Sequence, residues 1–173
     1  MTVLKVSLYG DPVLRTVAEP VQAVTSEIKQ IIQDMVETMW HQVGIGLAAP
    51  QVGISLRLLV MDDGKRAARA LVNPVITERG GSVVEEEGCL SLPGIFADVE
   101  RNKWVRLSAQ DEEGWPISFE AQGLQAKVIQ HEIDHLDGVL FIDRLPPVTR
   151  DRIKKRIRKE GLAKSARHHA LAL

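Results

Sequence analysis

Between positions 25 and 43 the apolar residues Ile28, Ile31, Ile32, Met35, Met39 and Val43 recur three or four places apart, the spacing of one helical face. Thr25 or Ser26 can cap this helix, and Glu27 places a negative charge in its first turn. Beyond the stretch GIGLAAPQVG the period changes. Runs rich in β-branched residues and leucine predict strands over 56–61, 70–75, 82–86, 99–110 and 115–119. Asp62-Asp63-Gly64, Glu78-Arg79-Gly80-Gly81 and Glu112-Glu113-Gly114 supply turns between them. Strands this close together leave no room for crossover helices, so antiparallel pairing is expected. A helical pattern returns from about Leu124 and stops at Asp137-Gly138, with glycine where one commonly follows a helix. Pro146-Pro147 then separates the body from a third helix starting near Thr149. The expected class is α+β: antiparallel β-sheets around a central helix, with one helix before them and one after.

Length and composition narrow this picture. A chain of 173 residues fits one domain, and a domain of that size buries about 70% of its unfolded surface, enough for a core without staples. Residues 1–147 read as the chemical body of that domain and 148–173 as a basic helical tail. The single cysteine, Cys89, excludes an internal disulfide. The amino terminus lacks an apolar run of signal-peptide length, and nothing approaches the roughly 18 apolar residues of a membrane helix. A cytoplasmic protein, monomeric and without a membrane partner, is the expectation. Formal charge is −1 overall, yet from Thr149 onward nine Lys or Arg face only Asp151 and Glu160. A tail of +7 is therefore joined to a body of −8.

In GIGLAAPQVG, Gly44, Gly46 and Ala49 fall on the dinucleotide-binding spacing G-x-G-x-x-G/A. That fingerprint needs a strand leading in and a helix opening at the loop. Here a helix leads in, and Pro50 would break any helix leading out, at a cost of roughly 3 kcal/mol. The loop needs another task.

The chemistry concentrates in the second helix, which reads QHEIDHLDG. His131 and His135 stand four residues apart, on one face, with Glu132 beside them. This is the H-E-x-x-H arrangement, in which two imidazoles reach one metal ion and the glutamate handles protons. Leu124 and Val128 share the histidine stripe, and Ile129, Ile133, Leu136 and Leu140 supply another, so the helix is expected to be largely buried. A catalytic site needs a third protein ligand and an open position. Gly138 matches the metzincin pattern, but the place of its third histidine is taken by Phe141, which cannot ligate, and no methionine follows Met61. Glu160, among Lys and Arg, and His168 and His169, at the end of the tail, are poor substitutes. Cys89 in EEEGCLSLPG remains, at a turn where its thiolate would complete a site open to Fe(II), Zn, Ni or Co.

The stretches GIGLAAPQ, EGCLS and QHEIDHLDG together, in this order, resemble the peptide deformylase family, and the likeness runs from about Leu8 to Leu145. The resemblance implies removal of the formyl group from the N-terminal formyl-methionine of nascent polypeptides. It implies one divalent ion, Fe(II) in the first place, on Cys89, His131 and His135, with Glu132 as the proton carrier. It further implies that Gln51 and the Leu90 N–H meet the charge on the formyl oxygen. Gly44 and Gly46 would let backbone approach an extended peptide, Ile45 and Gly46 would pair with it as an added strand does, and Ile45, Leu124 and Val128 would line the methionine pocket. Resemblance to some bacterial members suggests that the tail docks on ribosomes. Two rivals use the same residues: an endopeptidase, against which Phe141 argues, and a non-catalytic RNA-binding domain with a structural metal, which would have no use for Glu132.

Overall fold

The computed structural model describes residues 2–65 and 67–163. Its elements are α1 (Ser26–His41), β1 (Gly46–Ala48), β2 (Leu58–Asp62), β3 (Ala68–Gly80), β4 (Val83–Gly88), β5 (Phe96–Arg101), β6 (Trp104–Gln110), β7 (Pro116–Gln122), α2 (Gly123–Leu136) and α3 (Pro147–Glu160). The order in the five-stranded sheet is β1-β2-β3-β6-β7, and β4 and β5 form a separate ribbon. Each of these strand pairs is antiparallel. The fold is thus the expected α+β arrangement.

The core is built on both faces of β2. Leu58 and Val60 pack with Met35 and Met39 of α1, whereas Leu59 and Met61 pack with Val128, Ile129 and Leu136 of α2. Alternation along one strand thereby assigns the two helices to opposite faces. A third cluster gathers Leu14, Cys89, Leu92, Val99, Phe141 and Leu145 beneath the ribbon. Phe141, which occupies the place of a metzincin ligand, is one of the largest fully buried side chains of this core.

Several boundaries differ from the sequence expectation. The strand expected over 99–110 is two strands in different sheets, β5 in the ribbon and β6 in the main sheet. Asn102 makes the break: its N–H donates to Gln130 Oε1 at 3.0 Å and its carbonyl accepts from Gln130 Nε2 at 3.0 Å, so α2 takes the bonds a strand neighbour would otherwise make. Val43, counted in the first helical stripe, lies beyond it in the left-handed region at φ 59° and is 63% exposed. The Gly44 N–H reaches Met39 O at 2.9 Å and the Val43 N–H reaches Trp40 O at 3.0 Å, closing the helix by a two-bond cap that usually employs glycine. GIGLAAPQVG is a short strand followed by a 3₁₀ turn, Ala49–Val52, in which Pro50 occupies one of the first two positions and so breaks no ladder.

The third helix begins at Pro147, two residues earlier than expected, with proline at a tolerated position. It is not held away from the body. Ile153 and Ile157 pack against the third cluster, and the Ala163 N–H donates to Pro93 O at 3.2 Å. His168 and His169 lie outside the described residues.

Candidate metal centre and active site

α2 delivers His131, Glu132 and His135 into the space between its own face, β1 and the turn that follows β4. Cys89 sits on that turn, closed by Leu92 N–H to Cys89 O at 3.0 Å. The cysteine sulfur lies 3.3 Å from His135 Nε2, and the candidate ligand atoms of Cys89, His131 and His135 are all within 4.8 Å of one another. All three residues are buried. The buried atoms His131 Nε2, His135 Nδ1 and both carboxylate oxygens of Glu132 have no hydrogen-bond partner among the described residues. An orphaned imidazole nitrogen aimed at a converging thiol and a second imidazole fits one divalent ion with three protein donors and an open position.

Electrostatics set the protonation of this site. Burial pushes the Cys89 thiol up to about 12, and the charge of Glu132 adds to this, while hydrogen bonds from the Ser91 and Leu92 N–H groups oppose it. Burial, reinforced by His131, holds His135 well below the usual imidazole range, so its ring is neutral, the form that binds metals. Glu132 is raised well above the ordinary carboxylate range by burial first and by the charge of Glu87 next. A carboxyl so placed is suited to accepting and releasing a proton.

Gln51 reaches the same space from the 3₁₀ turn. Its Oε1 accepts from the Ala48 N–H at 2.9 Å, which turns Nε2 toward Cys89 Sγ at 3.6 Å and Ser91 Oγ at 3.3 Å. Leu90, next to Cys89, is buried against the α1 core. Gly46 is required by proximity: a Cβ there would lie 2.5 Å from Glu132 Oε1 and 2.8 Å from Val128 Cγ1. At Gly44 a Cβ would meet Leu90 Cδ1 at 3.0 Å. Ile45, Leu124 and Val128 line one pocket of about 180 Å³ together with Asp62, Gly64 and Gln125. Leu124 is half exposed at its mouth rather than buried within the helical stripe. A larger cleft of about 650 Å³ lies elsewhere, lined by Arg79, Asn102, Gln130 and Asp137 among others. Neither His131, His135 nor Cys89 lines it.

Residues to which the sequence reading gave no role surround these, although Glu87 opens the stretch EGCLS and Asp134 lies within QHEIDHLDG. His131 Nδ1 donates to Glu87 Oε2 at 2.9 Å. Arg101 grips Glu87 with two bonds, at 2.8 and 3.0 Å, and reaches Asp134 at 2.6 Å. Burial alone would raise the Glu87 carboxyl, but its hydrogen bonds to His131 and Arg101 prevail and hold it at about 2. One signal was available: in a strand, Val99 and Arg101 share a face, so a buried valine there predicts an inward arginine in need of a partner.

The described residues include no helix long and apolar enough to cross a membrane. Against known proteins, the Polypeptide deformylase family profile matches residues 3–151. A peptide deformylase of Alkalilimnicola ehrlichii is 48% identical over 162 residues, covering 92% of this chain and 91% of the relative. One from Thermotoga neapolitana is 48% identical over 164 residues, covering 94% and 98%. Among solved structures, the peptide deformylase of Thermus thermophilus superposes with a TM-score of 0.87 at 49% identity, over 91% of this chain and 95% of that one. The Synechococcus elongatus peptide deformylase in complex with actinonin superposes with a TM-score of 0.86 at 42% identity, over 95% and 89%. A likeness this deep along nearly the whole length, in a fold that gathers a thiol and two imidazoles around a buried glutamate, makes this chain a member of the polypeptide deformylase family.

Proposed function

We propose that Cys89, His131 and His135 hold one divalent ion, around which Glu132, Gln51 and the Leu90 N–H remove the formyl group from the N-terminal formyl-methionine of newly synthesised polypeptides, releasing formate. The observation that carries this is Glu132, which is 0% exposed with neither carboxylate oxygen hydrogen-bonded among the described residues, beside three converging ligands. A purely structural metal site would leave such a carboxyl without a task and at a heavy desolvation cost.

A divalent ion held by Cys89, His131 and His135 would supply the acidification of a water molecule that makes it a nucleophile near neutral pH. Fe(II) is the first choice, as the family resemblance implies, and Zn, Ni or Co are the alternatives, since one thiolate with two imidazoles can hold any of them. Glu132 takes the proton lost by the attacking water and hands it to the departing amine nitrogen. Gln51, anchored through its oxygen on Ala48, presents its amide N–H groups to the charge growing on the formyl oxygen, and the Leu90 N–H is the second donor. Gly44, Ile45 and Gly46 pair with the extended peptide, and the methionine side chain enters the pocket of Ile45, Leu124 and Val128. Residues 1–147 carry this chemistry in a monomer that works in the cytoplasm. The basic residues from Arg150 to Lys159 form a docking face for ribosomal RNA phosphate, where nascent chains emerge.

Protein purified without oxygen and loaded with Fe(II) is expected to release formate from a formyl-Met tripeptide while leaving acetylated and internal peptide bonds intact. Glu132→Ala should keep the metal and lose turnover, whereas Cys89→Ala should lose both. Cleavage of internal bonds, or normal metal content and turnover in Cys89→Ala, would refute the assignment.

A further inference from the structure

Glu87 leaves β4 one residue before the Gly88-Cys89 turn, and its carboxylate is fully buried beside the His131 ring. With the Arg101 guanidinium donating to both of its oxygens, that carboxylate acts as an acceptor, so the imidazole proton belongs on Nδ1 and Nε2 is left bare. A carboxylate in an apolar site has rotational freedom unless something holds both of its oxygens. Arg101 does so: Nε bonds to Oε1 at 2.8 Å and the terminal nitrogen Nη2 bonds to Oε2 at 3.0 Å. Its remaining arm, Nη1, is fixed on Asp134 Oδ2 at 2.6 Å. Asp134 is held in turn by Arg144 at 2.7 and 3.2 Å. The Arg101 side chain is 5% exposed, with Glu87 at 0% and Asp134 at 9%.

Three elements meet in this one guanidinium. Glu87 belongs to β4, Arg101 to the end of β5 and Asp134 to α2, three residues after His131. A planar fork with donors in fixed directions can satisfy two carboxylates at once, and a single ammonium cannot. A buried chain of this kind adds little net stability, because desolvation consumes most of its Coulomb gain. Its effect is orientation.

We propose that Arg101 is a positioning residue of the metal centre: by gripping Glu87 and Asp134 together, it sets the Glu87 carboxylate so that His131 is held in the Nδ1–H form with Nε2 directed at the metal. This rests on the reading of Cys89, His131 and His135 as ligands. The partners of such ligating histidines commonly set metal affinity by about 10–100-fold. Arg101 acts one step further out, through Glu87, and touches neither substrate nor metal.

The test compares wild type with Arg101→Lys and Arg101→Met. Two quantities are read: the affinity of the stripped protein for Zn and Co by chelator competition, and the His131 tautomer in the metal-free protein by nitrogen-15 NMR of the imidazole. Arg101→Met is expected to lose affinity by about 10–100-fold and to show a mixed His131 tautomer. Arg101→Lys keeps a cation in the site and so protects the comparison if the Met variant fails to fold. It too is expected to lose affinity, by about 10-fold, because an ammonium cannot make the fork. Affinity within twofold of wild type in the folded Lys variant, with the wild-type tautomer, would overturn the role of Arg101 while leaving the metal site standing. Failure of wild type itself to bind one equivalent of metal would overturn the ligand assignment, and this inference with it.

Discussion

Gln51 is anchored most tightly through its oxygen. Its oxygen is taken by the Ala48 N–H, and its nitrogen faces Cys89 and Ser91 at 3.6 and 3.3 Å, long approaches that a better acceptor can replace. That geometry suits a donor whose full bond forms only when charge develops on the substrate. Gln51→Ala is therefore expected to lower kcat by about 10²–10³-fold with little change in KM. Steady-state kinetics on a formyl-Met peptide decides the point, and a loss confined to KM would make Gln51 a binding residue instead. The identity of Gln51 was readable from the glycine-loop motif, but the direction of its amide was not. Only the Ala48 N–H, brought back over the side chain by the 3₁₀ turn, shows that the nitrogen faces the site.

At the scale of elements, the turn after α2 shows how a local cap and a distant charge cooperate. The 3₁₀ turn Phe141–Arg144 is closed by the Leu140 N–H donating to Asp143 Oδ2 at 2.9 Å, and Arg15, from the first turn of the chain, pairs with the same carboxylate. Burial works against the Asp143 charge, but Arg15 and the Leu140 N–H outweigh it and hold the carboxyl below its ordinary value of 3.8. A carboxyl depressed in the folded state contributes stability that is complete above the unfolded value and is lost as pH falls through the folded one. The stability difference between wild type and Asp143→Asn should therefore be constant near pH 7 and shrink below about pH 4. Urea midpoints at pH 7 and pH 3 measure it, and a difference that stays the same at both would show that the carboxyl's charge contributes nothing.

Across the whole molecule, α3 presents two faces that its sequence had blurred. Ile153 and Ile157 pack against the third core cluster, which also holds Cys89 and Leu92, whereas Arg152, Lys155, Arg156, Arg158 and Lys159 are exposed. Deleting the helix would strip apolar cover from the cluster behind the metal ligand, so truncation confuses stability with binding. Substitution of those five cations by Gln is the cleaner experiment. It is expected to leave hydrolysis of short formyl peptides unchanged and to weaken ribosome binding, with the salt slope reduced by roughly 0.7–0.9 for each phosphate no longer neutralised. Co-sedimentation across a salt series reads the binding, a formate assay reads the hydrolysis, and equal binding by the two proteins would leave the charges as a solubilising surface.

What the sequence determined by itself was local and periodic: the face of α1, the histidine pair on one side of α2, the chain of short antiparallel strands, and the motif segments that hold Gln51, Cys89 and Glu132. Those signals need only the geometry of one element, or a spacing that chemistry itself dictates. Tertiary structure decided the rest. It cut one apolar run into β5 and β6 by giving the Asn102 backbone to Gln130, and it left Val43 in a left-handed turn. It also chose, from three consecutive glutamates, the one that meets His131, and it turned Arg101 inward to hold that glutamate. A glutamate in a buried ion pair and one on the surface are the same letter, and what separates them is which distant guanidinium or imidazole the fold brings within hydrogen-bonding distance.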